Sequence, residues 1–87
     1  MSEDNITSTR YNVLDVRELV YSNNQNYQDH AIVLICKEWN KAGRRRITVW
    51  DDDVKIFDVA KMLAPGDIIL VHDRIANSVN TIVEIEY

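Results

Sequence analysis

The sequence predicts an all-β domain with a single helix, in the order strand, strand, strand, helix, strand, strand. Three observations carry that expectation. Five short stretches rich in Val, Ile, Leu and aromatic residues read as strands, and polar or turn-forming residues separate them. One stretch alone, Val54 to Ala64, spaces Ile56, Val59, Ala60 and Leu63 as one face of a helix. At 87 residues, with 46% hydrophobic and 28% charged side chains, the chain has material for one packed core and no second.

Residues 1–10 carry Ser, Glu, Asp, Asn and Thr with a single Ile, too little apolar surface to offset the entropy of ordering them, so a flexible N-terminal tail is expected there. The domain proper is expected over 11–87. From Tyr11 to Tyr21, Leu14 and Val16 share one phase and Leu19 and Tyr21 the other, which predicts a strand with a bulge near Arg17-Glu18. The amide-rich segment Ser22 to Asp29 reads as a loop. His30 to Trp39 and Arg44 to Trp50 form a hairpin around Asn40-Lys41-Ala42-Gly43. Asp51-Asp52-Asp53 offers an N-cap and first-turn negative charge to the helix, and Pro65-Gly66-Asp67 ends it. Ile68 to His72 is the fourth strand, Asp73 to Asn80 a loop, and Thr81 to Tyr87 the fifth strand.

Five short strands with one helix between the third and fourth is the element order of the OB-fold, a partly open five-stranded barrel that binds ligands on strands two and three and the first and last loops. The residues Ile47-Thr48-Val49-Trp50-Asp51, the helix containing Phe57, and Leu63-Ala64-Pro65-Gly66-Asp67-Ile68-Ile69 resemble the central portion of replication protein A and telomere end-protection OB domains. The likeness runs from about Tyr11 to Tyr87. It implies a single-stranded DNA-binding module of a genome-maintenance or telomere complex, in the nucleus on the chromosome if the source is eukaryotic. It also implies that Trp50, at the end of the third strand, stacks on a base. This chain departs from the pattern in ending at its fifth strand and in its acidic charge, and an OB scaffold subunit that mediates protein-protein assembly is the alternative.

The formal charge of −4 argues against a general phosphate-binding surface, but its distribution does not. Residues 37–46 hold Lys37, Lys41, Arg44, Arg45 and Arg46 against Glu38, a local charge of +4 that leaves −8 for the rest of the chain. With Ile47 and Val49 facing the core, Arg44, Arg46, Thr48 and Trp50 project outward. A hairpin turn of two or four residues would set Trp39 opposite Arg44 or Arg46, and Lys37 opposite Arg46 or Thr48, on the same face. Cations beside exposed aromatic rings suit single-stranded nucleic acid, DNA first and RNA second, whose phosphates need positive charge and whose unstacked bases need flat partners. Tyr27 in the first loop and Arg74 in the last extend this set. Two structural alternatives stand beside it: Trp39 capping a barrel end or lying under an Arg, and Trp50 folding over the helix near Phe57.

No enzyme is expected: no nucleophilic triad, glycine-rich phosphate loop or paired-carboxylate arrangement is present, and Asp51-Asp52-Asp53 is accounted for by capping and solvation. No cofactor or small-molecule substrate is implied, while other protein subunits are expected as partners. His30 and His72 have no second imidazole or carboxylate at ligand spacing in the sequence, so no metal site is expected. Cys36 stands alone within an apolar run, which excludes an internal disulfide and points to an intracellular setting. No apolar run approaches the roughly 18 residues of a membrane helix, and the first ten residues are unlike an export signal.

Overall fold

The computed structural model describes residues 5–22 and 28–87. In chain order it contains β1 (Asn5–Ser22), β2 (Gln28–Glu38), β3 (Arg44–Trp50), α1 (Val54–Ala60), β4 (Ile68–Ala76) and β5 (Val79–Glu86). The strands form one antiparallel sheet in the order β3-β2-β1-β4-β5, and no backbone ladder among the described residues joins β3 to β5.

β1 is the strand on which both halves of the sheet hang. Its first half, Asn5 to Asn12, pairs with β4, and its second half, Tyr11 to Ser22, pairs with β2. The tail expected over residues 1–10 is therefore strand from Asn5 onward, because a ladder of backbone hydrogen bonds orders a segment whose side chains bury little. Residues 1–4 lie outside the described residues.

The two halves are reconciled by a bulge between Val13 and Asp15, three residues earlier than the apolar phases suggest. Leu14 is the extra residue and is exposed, whereas Val13 is buried and Val16 packs on the core. The bend opens a place for the Pro65-Gly66 turn: the Val13 N–H donates to the Asp67 carbonyl and the Gly66 N–H to the Val13 carbonyl, both at 2.8 Å. Gly66 needs its missing side chain here, since its φ is 99°.

Other boundaries move for local reasons. α1 ends at Ala60, short of the expected Ala64, with Met62 and Leu63 donating to the Val59 and Ala60 carbonyls in a tighter final turn. Asp53 is its N-cap residue but makes no side-chain cap bond. The stretch read as a loop over Asp73–Asn80 is instead a two-residue hairpin, with Ala76 opposite Val79 and both Asn77 and Ser78 at positive φ, 52° and 65°. That turn is usually marked by glycine, and here it carries none.

The core lies between the curled sheet and the helix. Val13, Ile32, Leu34, Ile47, Val49, Ile69, Val71 and Ile85 come from the strands, and Ile56, Ala60 and Leu63 from the helical segment, which matches the inward sets expected for β3 and the helix. Cys36 is fully buried, and burial pushes its thiol up to about 11.

A polar clamp crosses this interior. Arg45 of β3 donates two hydrogen bonds to the buried Asp73 of β4, at 2.7 and 2.8 Å, and a third to the Tyr11 hydroxyl at 3.1 Å. Two strands separate β3 from β4 in the sheet. In a flat sheet that places them roughly 14 Å apart, so the contact requires the sheet to roll on itself.

Two outcomes are expected. Asp73→Ala, which strands the Arg45 charge, should cost about 3–5 kcal/mol and lower Tm by about 12 °C or more, whereas Arg45→Met combined with Asp73→Leu should recover most of the loss in thermal melts. The Cys36 thiol stays protonated in the fold while an unfolded thiol ionises near 9.0, so stability should fall as pH rises from about 9 towards about 11, an effect absent from Cys36→Ala.

Candidate nucleic-acid interface

The outer face of β3 and β2 continues onto β1, and the register states how. Lys37 lies opposite Arg44, Ile35 opposite Arg46, Val33 opposite Thr48 and Ala31 opposite Trp50. On the other side of β2, Asp15, Arg17, Leu19 and Tyr21 face Ile35, Val33, Ala31 and Asp29. Because alternate residues share a face, these side chains form one surface opposite the core.

That surface has an apolar floor. Val33 and Ala31 are buried although they point away from the core, covered by neighbours on β1 and β3. A trough of about 230 Å³ is lined by Arg17, Leu19, Val33, Ile35 and Arg46. At its end Trp50 is 43% and Tyr21 47% exposed, with ring centroids 5.4 Å apart and planes tilted by 40°. Trp50 thus leans on Tyr21 while much of its surface stays exposed.

The charges on this face are unequal in their commitments. Arg17 is held by Asp15 at 2.9 Å. Lys37, Arg44 and Arg46 are exposed and make no ion pair among the described residues. Arg45, in the middle of the basic run, points inward to Asp73 and contributes nothing to the outer face; its own charge is held by that carboxylate, which raises an already high pKa further.

On the opposite flank of β3 a second cleft, about 360 Å³, runs along the unjoined seam of the sheet. β3 lines one wall from Arg45 to Trp50, Asn80, Thr81 and Ile82 of β5 line the other, and Ile56, Asp52 and Asp53 lie among its lining. Asp51 is occupied in the fold: its carboxylate accepts the His30 backbone N–H at 3.0 Å, tying the start of β2 to the end of β3.

The structure therefore brings together Lys37, Arg44, Arg46, Thr48 and Trp50 of the expected set. It leaves others elsewhere. Trp39 is not opposite Arg44 or Arg46, because Lys37 already pairs with Arg44 and the connection after Glu38 is longer than a two- or four-residue turn. Trp39 sits at the hairpin tip, where its N–H donates to the Arg10 carbonyl at 2.9 Å and the Arg10 guanidinium lies 6.0 Å from the ring. Eight residues of extended strand, roughly 26 Å, separate the level of Trp39 from that of Trp50. Lys41 is paired with Glu38 at the same tip. Arg74 lies on β4 between Ile6 and Thr81, on the half of the sheet away from β2 and β3. Tyr27 lies outside the described residues.

Arg17 and Leu19 are members of the face that sequence reasoning did not assign. The shared phase of Leu19 and Tyr21 is legible in the sequence, but that it points outward, with Arg17, follows only once the β1 bulge is set at Leu14.

Comparisons with protein-family models, with curated proteins and with solved structures find no match for this chain.

Since neither ring is in the core, Trp50→Ala and Tyr21→Ala should each change stability by no more than about 1 kcal/mol, against the 3–5 kcal/mol typical of truncating a buried tryptophan. Denaturant titration of the three proteins measures this, and a fall in the buried range would place Trp50 in the folding core.

Proposed function

We propose that the chain is a non-enzymatic OB-type module that binds single-stranded nucleic acid, DNA in the first place, across the outer face of β1, β2 and β3. The strand order β3-β2-β1-β4-β5, the helix between β3 and β4, and the approach of β3 to β5 across a cleft support the OB reading. A genome-maintenance or telomere assembly is the setting that such a module would serve.

The observation that carries the binding proposal is the exposed Trp50–Tyr21 pair at the end of an apolar trough, beside the unpaired Arg46. A base needs a flat apolar surface, its sugar tolerates an apolar floor, and its phosphate needs a cation whose charge is not already spent. Lys37 and Arg44, one step further along the same face, continue the cationic track. With few cations, one module binds weakly, and affinity would be completed by further modules or protein subunits.

A second reading is favoured by the unpaired edges of β3 and β5, which could accept a strand from another protein and make the chain an assembly subunit.

Titration of a labelled single-stranded oligonucleotide at several salt concentrations separates the two. Three phosphate contacts give a slope of log K against log salt of about −2, and Arg44→Ala or Arg46→Ala should each reduce it by about 0.7, while Lys55→Ala and Lys61→Ala on the helical segment leave it unchanged. Trp50→Ala should cost about 1–3 kcal/mol of affinity and Trp50→Phe much less, since a flat ring remains. Equal effects from helix and hairpin substitutions, or undiminished binding by Trp50→Ala, would leave the strand-accepting edges as the better account.

A further inference from the structure

The half of the sheet remote from the basic face carries a cluster that the chain order conceals. His72 of β4 lies between Ser8 of β1 and Glu84 of β5, each directly opposite it in the ladder. Its Nε2 is 3.0 Å from a Glu86 carboxylate oxygen, and its Nδ1 is 2.6 Å from the Ser8 hydroxyl. Donor atoms of His72, Glu84 and Glu86 all lie within 4.8 Å of one another.

The arrangement follows from a second irregularity in the sheet. Between His72 and Asp73 the register passes over Val83, so Glu84 falls opposite His72 and Glu86 follows on the same face, with the buried Ile85 between them pointing the other way. Two carboxylates are thereby held close together on one imidazole. Neither has a Lys or Arg ion pair among the described residues, so no cation of the fold balances the charge the two carboxylates bring together.

The imidazole is set up as a ligand. Its side chain is only 17% exposed, so little freedom remains to be lost. The Ser8 hydroxyl can either donate to Nδ1 or accept from Nδ1–H. The accepting arrangement leaves the Nε2 lone pair directed at the carboxylates, and a hydrogen-bonded second nitrogen is the usual condition of a metal-bound histidine.

We propose that His72, Glu84 and Glu86 bind a divalent ion of the zinc type through one imidazole nitrogen and two carboxylate oxygens, with water as the fourth ligand. A nitrogen donor favours such an ion over magnesium or calcium, which prefer all-oxygen shells, and its double charge matches the two carboxylates. Bond lengths near 2.0–2.2 Å require donors about 3.3 Å apart, which the exposed glutamates reach by side-chain rotation. The ion would clip β5, the last strand of the sheet, to β4.

Calorimetric titration of the full chain with Zn²⁺ in a non-coordinating buffer tests this, alongside thermal melts with and without a chelator. One saturable site is expected, tighter for Zn²⁺ than for Mg²⁺ or Ca²⁺ by about 100-fold, with a Tm that rises with the logarithm of free Zn²⁺. His72→Gln and Glu84→Gln should each weaken binding by about tenfold or more. Glu84→Gln keeps the His72–Glu86 bond, so it remains informative if His72→Gln folds poorly. His30→Gln, at the other imidazole, should leave the titration unchanged. In imidazole nitrogen NMR, saturating metal should leave His72 with Nε2 in the metal-bound range and Nδ1 protonated towards the Ser8 hydroxyl. Absence of saturable binding, wild-type affinity in Glu84→Gln, or an equal loss in His30→Gln would overturn the site.

Discussion

Arg45 and Asp73 hold the shape of this molecule. A five-stranded antiparallel sheet could lie open, and the backbone ladders alone leave its two outer strands unjoined. The guanidinium of β3, bound through two nitrogens to a buried carboxylate of β4 and leaning over the Tyr11 ring, draws together strands that are not neighbours. Its planar fork matches the carboxylate in a way that a lysine ammonium does not, which favours Arg at this position within a run of three arginines. Burying such a pair is expensive unless its hydrogen-bonding capacity is used, and no buried side-chain polar atom lacks a partner among the described residues.

The roll imposed by that clamp decides what each face can do. Inward, it lets α1 cover Leu34, Ile47 and Ile85 and leaves Cys36 sealed from solvent. Outward, it leaves the faces of β1, β2 and β3 as one surface on which Trp50, Tyr21 and Arg46 stand clear of the core. Irregularities in the ladders complete the division: the bulge at Leu14 turns Arg17, Leu19 and Tyr21 to the basic face, and the slip at Val83 turns Glu84 and Glu86 to the opposite half. Bulges re-aim side chains at small energetic cost, and here each one gathers a set of side chains on one face.

The acidic balance of the chain and its basic hairpin are compatible within this geometry. Surface charges are screened over about 8 Å in physiological salt, so the exposed Lys37, Arg44 and Arg46 act on their own surroundings and are little affected by carboxylates on the far half of the sheet. The potential just outside this face is therefore set by local charge, not by the formal charge of the whole.

By itself the sequence determined the element order, the single helix, the inward set of Ile47 and Val49, and the outward set of Arg44, Arg46, Thr48 and Trp50. Each of these follows from periods of two or 3.6 residues and from local punctuation by Pro65-Gly66 and the Asp51-Asp52-Asp53 run. Tertiary structure alone decided that residues 5–10 form strand, that Trp39 sits apart from Trp50, that Arg45 points inward, and that His72 meets Glu84 and Glu86. Those outcomes depend on register, on a two-residue turn at Asn77-Ser78 with no glycine to announce it, and on bulges at Leu14 and Val83. A strand's period of two means that one extra residue reverses every later side chain, and only the partner strand states where that residue lies.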